Sequence, residues 1–335
     1  VALGGTALLS GLDAALVRLE VWAPVASARV GDVHGQVMVL GFLGTLISLE
    51  RAQSLGRAWG YLAPALFGAG ALALVSPAPL LLGQLLHIEA AVLFLAVYVA
   101  LWRRAPRALV GVQVLSAVLA LGGAAVALLI DVPAALPWLA GFIVVTIAAE
   151  RAELAALVMG PSADRWVLGL AAALTVTALA ALVLPSIGTR LFGLAVLVVH
   201  DVVRRQLRLS GQRRYLAVAL LAGYVNLAVA GAVLTWFGLP GGQGPYDVVV
   251  HGVFLGFAVS MVMAHAPVIL PAVLGRPLPY RPVLWVPLVL LHAGLLVRFV
   301  GALSGLTAVW QAGGVATVVA MIAFLLTAVT LVVRG

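Results

Sequence analysis

The chain has 335 residues, 64% of them hydrophobic and only 9% charged, with a formal net charge of +8. Soluble domains carry roughly 45–50% apolar and about 25% charged residues, so this composition is that of a polytopic membrane protein. Cysteine is absent, which excludes disulfides, thiolate metal sites, covalent c-type haem and a cysteine nucleophile; all 19 basic residues are arginine, and their placement reads as membrane orientation rather than nucleic-acid binding.

Apolar runs of about 20 residues between Pro, Gly and Arg clusters predict an all-α protein of about twelve spans. Their limits are 1–19, 32–50, 58–76, 80–102, 108–130, 136–158, 166–184, 188–206, 214–237, 247–272, 283–303 and 308–333. They form a single transmembrane domain over 1–335. The first span has no charged leader and reads as a membrane helix rather than a signal peptide; it carries Asp13, for which the sequence offers no partner. Arginines gather after the even-numbered spans, whereas only Arg18, Arg29, Arg190 and Arg298 lie at the opposite side. The positive-inside rule then puts both termini in the cytoplasm of a prokaryote, in its inner membrane, with lipid as the one certain neighbour.

The second span, "VHGQVMVLGFLGTLISLERA" (33–52), has His34 at its outer end and Glu50 at its inner end. Sixteen residues, about 24 Å of helix, separate them, so they serve different sites. In the fourth span His87 stands near Glu89. The sixth span repeats the second: "GFLGTLISLERA" (41–52) recurs as "GFIVVTIAAERA" (141–152), and Glu150 takes the place of Glu50. In the eighth span His200 adjoins Asp201. The tenth span, "HGVFLGFAVSMVMAHAPVIL" (251–270), repeats the Gly-Phe at Gly256 and Phe257 and carries His251 and His265. The eleventh holds His292 and Arg298.

Glu50, Glu150 and His265 each stand nine residues after their glycine. The repeat implies three four-helix units around a pseudo-threefold axis, approximately 1–50 with the C-terminal spans, 58–158 and 166–272. The three polar groups would face that axis, an acceptable ligand set for a divalent metal such as Fe, Mn or Zn, or a proton relay. Ion pairing of the two glutamates with neighbouring arginines at the cytoplasmic ends is the simpler account.

His34 and His251 share an "HG" context, seven and five residues before their Gly-Phe. With α-helical geometry throughout, the two imidazoles differ by about 3 Å in depth and point about 160° apart, as suits two helices holding a planar macrocycle between them. Arg298, a lone charge near the outer end of its span, and Arg29, in the loop before His34, are candidates to pair with haem propionates. Alternatively, the two histidines hydrogen-bond loop carbonyls at the interface. His87, His200 and His292 are candidate ligands of a second haem or copper, although a hydrogen-bonded core histidine is the simpler reading of each.

Twelve spans with histidines at the outer ends of the second and tenth resemble the haem-copper oxidase subunit I superfamily. "HGQVMVLGF", "HGVFLGFAVSMVMAHAPVILPAVLGRPLPYRP" and "LLHAGLLVRFVGAL" resemble more specifically the NnrS family of haem- and copper-associated membrane proteins linked to nitric-oxide metabolism. The resemblance implies low-spin haem b ligated by His34 and His251, with Arg298 in the propionate role. It also implies electron transfer, or binding or sensing of a small diatomic such as nitric oxide; a membrane anchor for a peripheral redox partner is a compatible reading. The oxidase copper site requires histidines on the sixth and seventh spans, and none occurs between His87 and His200. Oxygen reduction at such a centre is therefore not expected. The rival reading is an ion- or proton-coupled transporter with a buried Glu/His site; no nucleotide-binding motif supports a pump.

Overall fold

The structure is a computed structural model that describes residues 2–154, 162–199, 208, 210–239 and 243–334. Every regular element among the described residues is helical. Eight helices among them are long and apolar enough to cross a membrane: Ala58–Val75, Leu80–Arg104, Ala108–Leu129, Asp164–Val183, Gly211–Phe237, Gly244–Pro267, Pro282–Ser304 and Thr307–Val333. The segments expected as the first, second, sixth and eighth spans are helical too, but shorter or more charged. They are Ala2–Arg18, the rod over 34–55, Leu136–Leu154 and Pro185–Leu197. Leu136–Leu154 ends in Glu150, Arg151 and Glu153, which shortens its apolar stretch.

Large apolar side chains cover the outside, among them Leu81, Leu85, Leu296 and Leu326. Exposed apolar surface on this scale fits contact with hydrocarbon and would not be tolerated in water. The helices divide into two compact units, Val1–Leu184 and Pro185–Gly335. In the first unit, helices adjacent in sequence pack side by side from Leu62–Val75 through Ser162–Val183, and Ala2–Arg18 lies against the rod over 34–55. In the second, Pro185–Leu197 packs on Gly211–Phe237, which packs on the tenth-span rod, and Trp285–Ser304 pairs with Thr307–Arg334.

Small residues set these approaches, since lipid tails give no hydrophobic reason for helices to associate and close packing must supply it. A Cβ on Gly301 would stand 2.2 Å from Trp310 N, and one on Gly313 2.2 Å from Arg298 N, so the two last helices meet backbone to backbone. Gly70 and Gly83 do the same between the third and fourth spans. A Cβ on Gly70 would lie 2.5 Å from His87 Cδ2, and one on Gly83 2.9 Å from Gly70 O.

The second and tenth spans depart from the α-helix. Each contains an eight-residue π-helix, Val37–Gly44 and Gly252–Val259. The second-span rod is completed by His34–Gln36 and Thr45–Leu55, and the tenth by Gln243–His251 and Ser260–Leu274. Both rods end on a left-handed glycine, Gly56 and Gly275, each with φ 66°, the usual helix stop. The rotation of about 160° expected between His34 and His251 assumed α geometry, and the wider π turns remove that basis.

Backbone contact at Gly301 makes a direct forecast. Gly301→Val should lower the stability of the detergent-solubilised protein by about 1–3 kcal/mol or more, read as a fall in thermal midpoint. Gly5→Ala, whose added methyl meets nothing within 4 Å, should leave the midpoint unchanged or raise it.

Candidate functional site

The two π-helices have one register. Gly41 and Phe42 are the fifth and sixth residues of Val37–Gly44, and Gly256 and Phe257 are the fifth and sixth of Gly252–Val259. Each glycine is a point where another helix comes close. A Cβ on Gly41 would be 2.5 Å from Ala71 Cβ, and one on Gly256 2.5 Å from Asn226 Cβ. The corresponding Gly141-Phe142 of the sixth span lies in an ordinary α-helix, so among the described residues the π geometry is found in the two spans that carry the "HG" histidines.

His34 stands three residues before its π-helix and His251 one residue before; each is held through Nδ1, His34 by a carbonyl of the first span and His251 by one of its own helix. His34 Nδ1 lies 2.9 Å from Gly11 O, and His251 Nδ1 lies 2.9 Å from Asp247 O. A carbonyl can only accept, so Nδ1 carries the hydrogen and the ring lone pair falls on Nε2. That is how metal-binding histidines are usually oriented, with one nitrogen donating to a carbonyl or carboxylate and the other directed at the metal.

Arg298 is not a lone charge. It donates to Asp247 through Nε (2.8 Å to Oδ2) and Nη2 (2.6 Å to Oδ1), a bidentate pair, and its guanidinium carbon lies 5.6 Å from the Trp310 ring centroid. Asp247 Oδ1 is also 3.2 Å from His251 Nδ1, so a single carboxylate ties the arginine of one span to the histidine of another. Arg29 likewise has internal partners, donating to Leu74 O (3.0 Å), Ala73 O (3.3 Å) and Ala78 O. It thus caps the carboxyl end of Leu62–Val75, where a cation complements the helix dipole. The charge balance assigned from sequence to haem propionates is met by Asp247 for Arg298 and by carbonyl oxygens for Arg29. Asp247 was passed over, although its spacing of four residues from His251 puts both on one helix face.

In the first unit, Glu50 and Glu150 meet on one cation. Arg51 pairs with Glu50 and its Nη2 lies 3.7 Å from Glu150 Oε1. Tyr98, fully buried, is within electrostatic range of all three. Its hydroxyl has no well-formed hydrogen bond among the described residues; the neighbouring Ser116 donates to Gln113 O at 2.7 Å. The Gln113 amide nitrogen is likewise buried and without a partner. Neither Tyr98 nor Gln113 was singled out from sequence, since a tyrosine or glutamine in a long apolar helix does not show which way it faces.

His265 belongs to the second unit, where its Nδ1 is 2.9 Å from Met261 O. Among the described residues no group of three or more His, Asp or Glu side chains is placed to hold a metal ion. Within the first unit, Arg51 supplies positive charge to the two carboxylates that the repeat assigned to a metal.

The other histidines are core groups. His87 is buried and donates from Nε2 to Phe67 O at 3.2 Å across the approach that Gly70 allows. His292 has both nitrogens engaged. Asn226 Nδ2 lies 3.1 Å from Nδ1, and Ser260 Oγ lies 3.0 Å from Nε2 while donating to Ala219 O at 2.8 Å. His292 therefore donates from Nε2 and accepts at Nδ1, which leaves no lone pair for a metal. His200 and Asp201 lie outside the described residues.

The family model described as "Domain of unknown function (DUF8744)" matches residues 1–333, so the chain belongs to that family. No curated protein and no solved structure matches it.

The Asp247–Arg298 pair generates a stability forecast. Asp247→Ala leaves a buried guanidinium, only 6% exposed, without its counter-charge, and should cost about 3–5 kcal/mol in thermal or denaturant unfolding. The double variant Asp247→Asn/Arg298→Met should recover most of that loss, because it removes both charges together.

Proposed function

We propose that this member of the DUF8744 family is a haem-binding integral membrane protein in which His34 and His251 supply axial ligands through Nε2. The observation that carries the reading is a recurring arrangement: a histidine with Nδ1 held by a backbone carbonyl, three residues (His34) or one residue (His251) before an eight-residue π-helix that has its Gly-Phe at the same position on both spans. π-Helices are rare, and where they occur they mark functional positions. The donor set fits haem iron, which accepts neutral imidazole nitrogen. Arg29 and Arg298 have partners of their own, so the reading rests on the histidines and not on propionate contacts.

Haem so ligated is coordinatively saturated and supplies one-electron chemistry rather than an open site for a diatomic. Electron transfer is accordingly favoured over nitric-oxide binding. The chain's part is to fix the two rings, in His251 through Asp247, which holds Nδ1 from both its carbonyl and its carboxylate. The accompanying topology takes the four shorter helices as spans as well, giving twelve, with both termini on the arginine-rich cytoplasmic side.

The test is the visible spectrum of protein purified from haem-replete membranes. A sharp Soret band that moves on reduction with dithionite is expected, and carbon monoxide should leave the reduced spectrum unchanged. His34→Ala and His251→Ala should each remove low-spin character, because iron that loses one imidazole is no longer six-coordinate. A colourless preparation, or both variants spectrally identical to the parent, sinks the assignment.

A specific observation supports a second reading, proton-coupled transport. Glu50 and Glu150 set two carboxylates against the one guanidinium of Arg51, beside the buried Tyr98 hydroxyl. A single proton would neutralise the excess negative charge of these three groups, with Arg151 and Glu153 the next charges along the Glu150 helix. On this reading the protein is colourless, and proteoliposomes carry a pH-gradient-dependent flux that Glu150→Gln abolishes. Unchanged flux in that variant would remove the cluster from the mechanism.

A further inference from the structure

A cavity of about 740 Å³ opens in the first unit between the end of the second-span rod and the last turns of Leu80–Arg104. Its polar lining is Arg57, Arg103 and Arg104 together with Trp59, and Leu55 and Val99 form part of its apolar wall. The three guanidinium groups are exposed, and none makes a hydrogen bond or ion pair among the described residues. This sets them apart from Arg29, Arg51 and Arg298, each of which has internal partners.

Membrane topology and helix ends account for part of this charge. Arg103 and Arg104 occupy the last turn of their helix, where cations suit the dipole. Arg57 stands between two helices, two residues past the end of Thr45–Leu55 and just before the 3-10 helix Ala58–Tyr61. Its presence on the same cavity brings together three like charges that repel unless an anion lies between them.

We propose that this cavity is a binding site for an anionic phospholipid, its phosphate held by Arg57, Arg103 and Arg104. Basic pockets between spans at the arginine-rich side of a membrane are suited to such headgroups. The apolar wall gives the first part of an acyl chain a surface to lie on, and Trp59 supplies the amphipathic ring that sits at headgroup depth. A free phosphate has no use for the apolar wall, and a zwitterionic choline headgroup would add a fourth cation to the three present. The site is independent of haem, since none of its residues belongs to the histidine-bearing arrangement.

Native mass spectrometry and thermal unfolding of the full chain in detergent test this, with phosphatidylglycerol, phosphatidylcholine and inorganic phosphate as separate probes. Phosphatidylglycerol should form a retained adduct and raise the thermal midpoint, while phosphatidylcholine and phosphate should do neither. In R57Q/R103Q/R104Q the affinity should fall on the order of a hundredfold, as for three interfacial arginines. R213Q/R214Q, which removes two exposed arginines elsewhere, should bind like the parent. R57Q alone should weaken binding roughly fivefold and carries the test if the triple variant does not fold. Parent-like binding by both Arg57 variants, equal binding of phosphatidylcholine, or full stabilisation by inorganic phosphate would each overturn the proposal.

Discussion

A charge that leaves water has to be met inside the protein, and three arginines that are buried or half-buried follow that rule. Arg298 receives a bidentate carboxylate from Asp247, Arg51 is shared by Glu50 and Glu150, and Arg29 takes up the carbonyl oxygens at a helix end. These contacts also position the elements. The Asp247–Arg298 pair fixes the tenth span against the eleventh, and Asp247 fixes the His251 ring in turn. The conformation of a candidate ligand thus depends on a charge pair formed for a different reason.

Helices were legible in the sequence because their pattern is long, apolar and bounded by Pro, Gly and Arg, and hydrocarbon leaves the backbone little choice but to bond within each segment. The repeated Gly-Phe was legible too, and in the second and tenth spans it marks the same position of the same unusual helix. That the helix is π was not legible. An amphipathic pattern reveals its period, but Val37–Gly44 is apolar on every side, so α and π winding read alike. Close approach is similarly hidden: Gly41 and Gly256 look like any membrane glycine until Ala71 and Asn226 are set against them.

Partners were harder to read than positions. Of the candidate site residues, the sequence marked both glutamates, but the register that related them to His265 suggested a metal, whereas Arg51, adjacent to Glu50, does the neutralising. Arg298 was seen as needing an anion and was given an external one, although Asp247 lay on the page four residues before His251. Arg29 could not have been assigned at all, because backbone carbonyls at a helix end leave no residue-type signature. Side chains announce charge; they do not announce which neighbour answers it.

The divergence of the sixth span bears on what the π-helices are for. It keeps the Gly-Phe and the Glu-Arg-Ala of the second span, yet it is α-helical and has no histidine at the equivalent end. If π winding followed from Gly-Phe alone, Gly141 and Phe142 would show it. The feature instead accompanies the histidine in both spans where one is present. A π turn interrupts the regular side-chain register of an α-helix and redirects whatever precedes it. His34 and His251 also stand within three residues ahead of such a turn, each with Nδ1 tied to a carbonyl. By contrast His87 and His292, on uninterrupted α-helices, are absorbed into helix-to-helix hydrogen bonds. The distortion therefore accompanies the two "HG" histidines, whose Nε2 lone pair is the chemistry a ligand to iron requires; His265, with Nδ1 on Met261 O, shares that tautomer on an α-helix.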